Sequence, residues 1–360
     1  MSTIQPKLSG LKAENFQKKI NGKNTDLYTL VNKDGYEVSI CNYGGAIPAI
    51  MVPDKDGKVA NVIQGFDNLD EYLKGNEPYL STLIGRWGNR ICDGKFQLNG
   101  KEYKLAINNG KNHLHGGPTG LHAQVWDAYQ TGEQNLTLNC VLPYGHEGFS
   151  GELKVSVEFT WTDDCELILE YMATTNKKTI LNLTHHAFFS IQGIDNPTPY
   201  IGDQILEMNC DFYVPTDETS IPTGEILKVE GTPFDFRTPK PIGQDIDADN
   251  EQIKFGQGFD HNYVCNKKEV GELSKVVTLT DPKSGRVLEA YTTEPGMQLY
   301  TGNFLSDFAI QNGCRSARRS AVCFEAQHFP DSPNRPYFPS TVLKPGEKYN
   351  QKTIYKFSTI

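Results

Sequence analysis

The sequence predicts an all-β protein, a large sandwich of curved antiparallel sheets formed as a single domain over residues 1–360. Three observations carry this. Apolar residues recur with a period of two, turn dipeptides punctuate the runs at short intervals, and only one short stretch has helical character. Glycine (33) and proline (20) are spread along the chain as turn punctuation, with no linker, repeat, charge block or low-complexity tract.

The elements follow in order. "LYTLVNKDGYEVSICNY" reads as a hairpin turning at Asp34-Gly35, and "NLDEYLKG" as one or two helical turns. "KFQLNGKEYKL" is a hairpin around Asn99-Gly100, whose Asn-Gly pair suits the two-residue turn that matches strand twist. "LKVSVEFTW" puts Leu153, Val155, Val157, Phe159 and Trp161 on one face and Lys154, Ser156, Glu158 and Thr160 on the other, a half-buried antiparallel strand. "TDD" turns the chain into a second strand, "CELILEYMATT", and "VVTLTDPKSGRVLEAYTT" is a further hairpin around Ser284-Gly285. Curved antiparallel sheets leave a concave face, a natural groove for a ligand.

Composition limits the function. The net charge is −9 and the pI about 5.5, which disfavours nucleic acid and anionic membranes as partners. No apolar run approaches the roughly 18 to 20 residues of a membrane helix, and the N-terminus has no apolar signal region. The eight cysteines are scattered without a CxxC, which points to reduced, mostly buried thiols in a cytoplasmic protein. A periplasmic location stays open if a leader has been cut away. "NLT" at Asn135 and Asn182 lies in strand-like text and is read as unglycosylated.

Polar residues concentrate in six stretches: "GRWGNRI" (85–91), "NNGKNHLHGG" (108–117), "NLTHHAFF" (182–189), "GFDHNYV" (258–264), "EPGMQLYTGNF" (294–304) and "FEAQHFPDSPN" (324–334). They hold His113, His115, His185, His186, His261 and His328, whereas His122 and His146 sit in ordinary loop text. Two imidazoles at His113 and His115 could begin a metal site. However, the first Glu to follow is Glu133, no HExxH occurs and no cysteine pairs with them, so no metal is expected. For any single histidine, satisfying a buried polar group remains the alternative. There is no GxSxG elbow, no GxxxxGK[ST] and no GxGxxG. What remains is acid–base chemistry by histidine and carboxylates.

Taken together and in this order, the six stretches resemble the motif set of the aldose 1-epimerase (galactose mutarotase) family. The resemblance implies the family's galactose mutarotase-like sandwich, no cofactor, and a small aldose as partner for a monomer or weak dimer. Residue by residue, it implies that Asn89, Arg90, Asp260 and Gln298 bind sugar hydroxyls. It further implies that His115 is an active-site imidazole, His186 the general acid on the ring oxygen, and Glu325 the general base. A hemiacetal opens when a base takes the anomeric proton and an acid protonates the ring oxygen, which needs no redox group or metal. A carboxylate close to His186 would raise its pKa slightly. The expected reaction interconverts the α and β anomers of free hexoses such as glucose and galactose. Alternatives are a hexose-phosphate mutarotase, a glycoside hydrolase pairing Glu325 with Asp260, or a non-catalytic sugar-binding protein.

Two departures stand out. His185 occupies a position that is commonly Asn in the family. The segment "QNGCRSARRS" (311–320) is basic, either a solvated loop or a subsite for an anionic sugar. Glu325 is expected at the end of the apolar strand "AVCF", and His328 as a residue that holds the following loop.

Overall fold

The computed structural model describes residues 4–360. Three main sheets carry the architecture, and every pairing between their strands is antiparallel. The largest runs in the order Asp127–Gln130, Asn135–Leu142, Leu153–Trp161, Glu166–Thr175, Tyr349–Thr359, Arg286–Thr292, Ser274–Thr280, Ile205–Met208, Lys240–Pro241. A five-stranded sheet runs Leu227–Lys228, Phe212–Val214, Asp260–Val264, Gly296–Tyr300, Cys323–Gln327. A four-stranded sheet comprises Leu27–Val31, Glu37–Cys41, Ala46–Pro53 and Val59–Asn61.

The expected hairpins form at Asp34-Gly35, Asn99-Gly100 and Ser284-Gly285. The strand Leu153–Trp161 alternates as its sequence demands, with Leu153, Val155, Val157, Phe159 and Trp161 all buried. These side chains join one core with apolar residues of all three sheets, among them Ile50, Leu169, Leu299 and Phe324. At about 25 cal/mol per Å² of buried apolar surface, this shared interior is the main stabilising term.

Helix Leu69–Lys74 forms where expected, with the Asn68 side chain capping the Glu71 N–H and Gly75 closing it in the left-handed region. A second helix, Glu251–Gly256, was not expected. At six residues it is too short to show a 3.6 period. Its signal is the cap: Asn250 accepts from the N–H groups of Gln252 and Ile253. No described helix is long and apolar enough to cross a membrane.

The five-stranded sheet positions the site. In strand Cys323–Gln327, Phe324 and Ala326 belong to the core, so Glu325 points to the opposite face. The same alternation turns Leu299 inward and Gln298 outward, and Tyr263 inward with Asn262 and Asp260 outward. Register places Gln298 directly opposite Glu325 and Asn262 opposite Gln298. Glu325 is therefore central in its strand, not at its end; the strand runs on through Gln327 because that residue still pairs with Gly296.

Candidate active site

A cleft of about 520 Å³ opens over this sheet face. Six of the seven residues expected at the site line it: Asn89, Arg90, His115, His186, Asp260 and Glu325. Gln298 lies behind them, where its Nε2 donates to Asp260 Oδ1 at 2.8 Å. It orients that carboxylate instead of lining the cleft.

The loops approach closely because small residues permit it. Gly116 has φ +84, and a Cβ there would stand 2.1 Å from the Gly85 carbonyl oxygen. The "HGG" turn thereby holds His115 against the "GRWGNR" loop. His115 Nδ1 accepts the Asn89 backbone N–H at 3.1 Å. That fixes the ring tautomer, with the proton on Nε2. Arg90 is anchored by its Nε–H to Asn109 Oδ1 at 2.9 Å, and its Nη1 faces Asp260 Oδ2 at 3.9 Å.

His186 Nε2 and Glu325 Oε1 face each other at 3.5 Å, with both side chains almost fully buried. Burial, reinforced by the nearby Asp260 carboxylate and only partly offset by Arg90, raises the Glu325 pKa well above the ordinary carboxyl value. Burial lowers His186 to about 3, opposed by a backbone hydrogen bond and reinforced by His185 and Arg90. The expected upward shift of His186 is thus reversed, because loss of solvent dominates and Glu325, itself pushed toward its neutral form, does not oppose it. Burial therefore works against the charged form of both groups. His115 is also held well below its usual value, first by burial and then by His186.

Ligand atoms of His115, His186 and Glu325 lie within 4.8 Å of one another, near enough to reach one metal ion. His115 has no lone pair to give, since Nδ1 takes the Asn89 N–H and Nε2 carries the proton. Only two donors remain, too few for a tight site.

Aromatic walls were not foreseen. Tyr79 packs 4.7 Å from the His115 ring, Phe188 stacks on His186 at 4.7 Å, and Tyr300 stacks with Phe304 at 6.2 Å. Phe188, Tyr300 and Phe304 lay inside the polar motifs, so their signal was present; "GNEPYLST", with Tyr79 and the cleft-lining Glu77, offered none.

The other histidines have structural partners. His113 Nδ1 bonds the Ala106 carbonyl at 2.8 Å, His185 Nε2 bonds that of Gly45 at 3.2 Å, and His261 Nε2 meets Gln252 Oε1 at 3.2 Å. His122 is buried against Tyr79 at 4.8 Å and is not ordinary loop text. His328 Nδ1 pairs with Glu294 at 2.6 Å, and its N–H donates to Asn182, so it does hold the loop. Burial alone would depress His328, but the Glu294 charge and hydrogen bond raise it above its usual value. This pair borders a larger groove of about 1080 Å³. Its acid and base are satisfied by each other.

The basic loop is spent on structure. Arg319 grips Asp247 through two nitrogens at 2.6 and 2.7 Å, Arg315 pairs with Asp307 at 2.5 Å, and Arg318 donates to the Asn303 and Gln257 carbonyls. None of the three lines the cleft.

Residues 26–356 match the family model described as Aldose 1-epimerase. The chain is 41% identical to galactose mutarotase of Bos taurus over 329 residues, covering 91% of this chain and 93% of that protein. It is 32% identical to aldose 1-epimerase of Escherichia coli K12 over 340 residues, covering 94% and 96%. Among solved structures, the aldose epimerase homologue from C. elegans superposes with a TM-score of 0.85 at 30% identity, over 93% of this chain and 99% of that one. Galactose 1-epimerase from Lactobacillus acidophilus NCFM gives 0.82 at 27% identity, over 95% and 97%. With its fold, its cleft and its sequence in agreement, this chain belongs to the aldose 1-epimerase family.

Proposed function

We propose that the protein is an aldose 1-epimerase that interconverts the α and β anomers of free hexoses such as glucose and galactose. The observation that carries this is a buried carboxyl and imidazole 3.5 Å apart, Glu325 and His186, at the base of a cleft lined by hydroxyl-binding side chains.

In this reading the pair holds one proton throughout the cycle. With a cyclic sugar bound, Glu325 as carboxylate takes the anomeric hydroxyl proton while His186 as imidazolium gives its proton to the ring oxygen. The bond from C1 to the ring oxygen breaks as the C1 carbonyl forms. The product state is a protonated Glu325 and a neutral His186, the state that burial favours. The aldehyde turns about C1–C2, and closure runs the transfers backwards. A His186 imidazolium so strongly depressed is a strong acid, suited to a weakly basic ether oxygen. His115, held as a donor at Nε2, supplies a hydrogen bond to a sugar oxygen; Asn89, Arg90 and Asp260 bind hydroxyls, with Gln298 steadying Asp260.

The charge of the cleft favours a neutral hexose over a hexose phosphate. Its lining offers two cationic side chains, and one of them, Arg90, already faces Asp260, which leaves Lys111 alone for a phosphate. Polarimetry on freshly dissolved α-D-galactose and α-D-glucose tests the reading: micromolar protein accelerates the approach to equilibrium. An unchanged spontaneous rate for both sugars overturns it, and faster turnover of glucose 6-phosphate than of glucose overturns the preference for neutral sugar.

A further inference from the structure

The residues around the cleft come from segments far apart in sequence, so something must fix their mutual spacing. Asn182 does so by an unusual convergence of bonds. It is 0% exposed. Its Oδ1 accepts the His328 N–H at 2.9 Å, and its Nδ2 donates to the Gly88 carbonyl at 3.1 Å and the His328 carbonyl at 3.2 Å. Its backbone N–H donates to the Arg86 carbonyl at 3.0 Å, and its own carbonyl accepts the Gly88 N–H at 2.8 Å. One residue thus ties together three pieces of chain. The first, 86–88, leads directly into Asn89 and Arg90. The second carries His186 four positions on. The third, at His328, lies three positions after Glu325.

The chemistry of the side chain is specific. The site needs one acceptor and two donors in a water-free position, and a primary amide supplies them from a single planar group. Aspartate would keep the shape while turning lone pairs toward two carbonyl oxygens. A shorter side chain would reach neither Gly88 nor His328. Packing leaves little slack: a Cβ on Gly88 would stand 3.2 Å from Thr184 Cγ2.

We propose that Asn182 is a positioning residue that sets the spacing of His186 and Glu325 relative to each other and to the Asn89–Arg90 loop. The inference rests on the acid–base reading given above. His186 and Glu325 stand 3.5 Å apart, so a small relative shift matters. Misplacement by about 1 Å can cost roughly 100-fold in rate. Asp260 and Gln298 lie on the sheet and make no bond to Asn182. Arg90 keeps its own anchor on Asn109 Oδ1, so sugar binding should suffer less than turnover.

The test compares wild type, Asn182→Asp, Asn182→Ser and a core control, Val157→Ala, by polarimetry, with kcat expressed per folded molecule. The expected result is a kcat lowered about tenfold or more in both Asn182 variants, with KM changed by less than about threefold. The control loses thermal stability but keeps its kcat. The proposal is overturned if the Asn182 variants lose no more kcat than Val157→Ala, or if both fail to fold, which would assign Asn182 to the fold alone. An inactive wild type would instead overturn the mutarotase reading.

Discussion

Replacing Glu325 by Gln separates two roles of one group. The substitution keeps the shape and removes the charge, and it breaks little: Oε1 approaches His186 at 3.5 Å, and Oε2 has no hydrogen-bond partner. A positioned acid or base contributes about 10²- to 10⁴-fold, equivalent to roughly 3 to 5.5 kcal/mol of barrier. Turnover should fall by that factor while galactose binding survives. Stability should move the other way. A carboxyl whose folded pKa is raised binds its proton more tightly in the native state than in the unfolded chain. Wild type therefore loses stability as pH rises from the unfolded value of about 4.5 through the folded one, by about 1.4 kcal/mol for each pH unit that separates the two. Gln has no such loss. Glu325→Gln should be more stable than wild type at pH 8, and that advantage should shrink steadily as the pH is lowered to 4.5. Polarimetry and urea denaturation at both pH values read the two effects. A variant keeping more than a tenth of wild-type turnover moves the base elsewhere. An advantage that does not grow from pH 4.5 to pH 8 refutes the desolvated carboxylate.

Other outcomes follow from the same geometry. Burial holds His122 and His185 down to about 4 and His186 and His261 to about 3. Because the unfolded chain protonates these rings near pH 6.5 and the native state does not, stability is lost as pH falls below that value. The four rings together should cost about 5 kcal/mol between pH 6 and pH 5, of which the raised carboxyls of Glu325 and Glu77 return a part; the net loss is visible as a lower urea midpoint, and an unchanged midpoint would refute the desolvated rings. His185→Asn should leave turnover within about threefold, since the ring bonds the Gly45 carbonyl and does not line the cleft. A loss beyond tenfold in that variant would give His185 a direct role.

The large sheets were legible because antiparallel strands with one wet face announce themselves by alternation, as in Leu153–Trp161. Asn89, Arg90, His115, His186, Asp260 and Glu325 were legible through a resemblance of ordered motifs, and the structure gathers them in one cleft. What the sequence hid was local or long-range. Helix Glu251–Gly256 is shorter than two turns, so only its cap could have signalled it. The direction of the His186 shift depends on how completely the pair is desolvated, which residue types alone do not encode. The basic loop left an anion subsite open beside a solvated loop because Asp247 and Asp307, which neutralise Arg319 and Arg315, lie 72 and 8 positions away. Tyr79 becomes a wall of the cleft only through tertiary packing.

The alternation within Cys323–Gln327 also bears on how the protein can change over generations. Substitutions, and lengthened loops around the cleft, leave the direction of Glu325 intact. A single-codon insertion or deletion within that strand does not: it would exchange Glu325 for Phe324 or Ala326, turning an apolar group into the cleft and a carboxyl into the core. Length variation among descendants of this sequence should therefore gather in the loops and spare this strand.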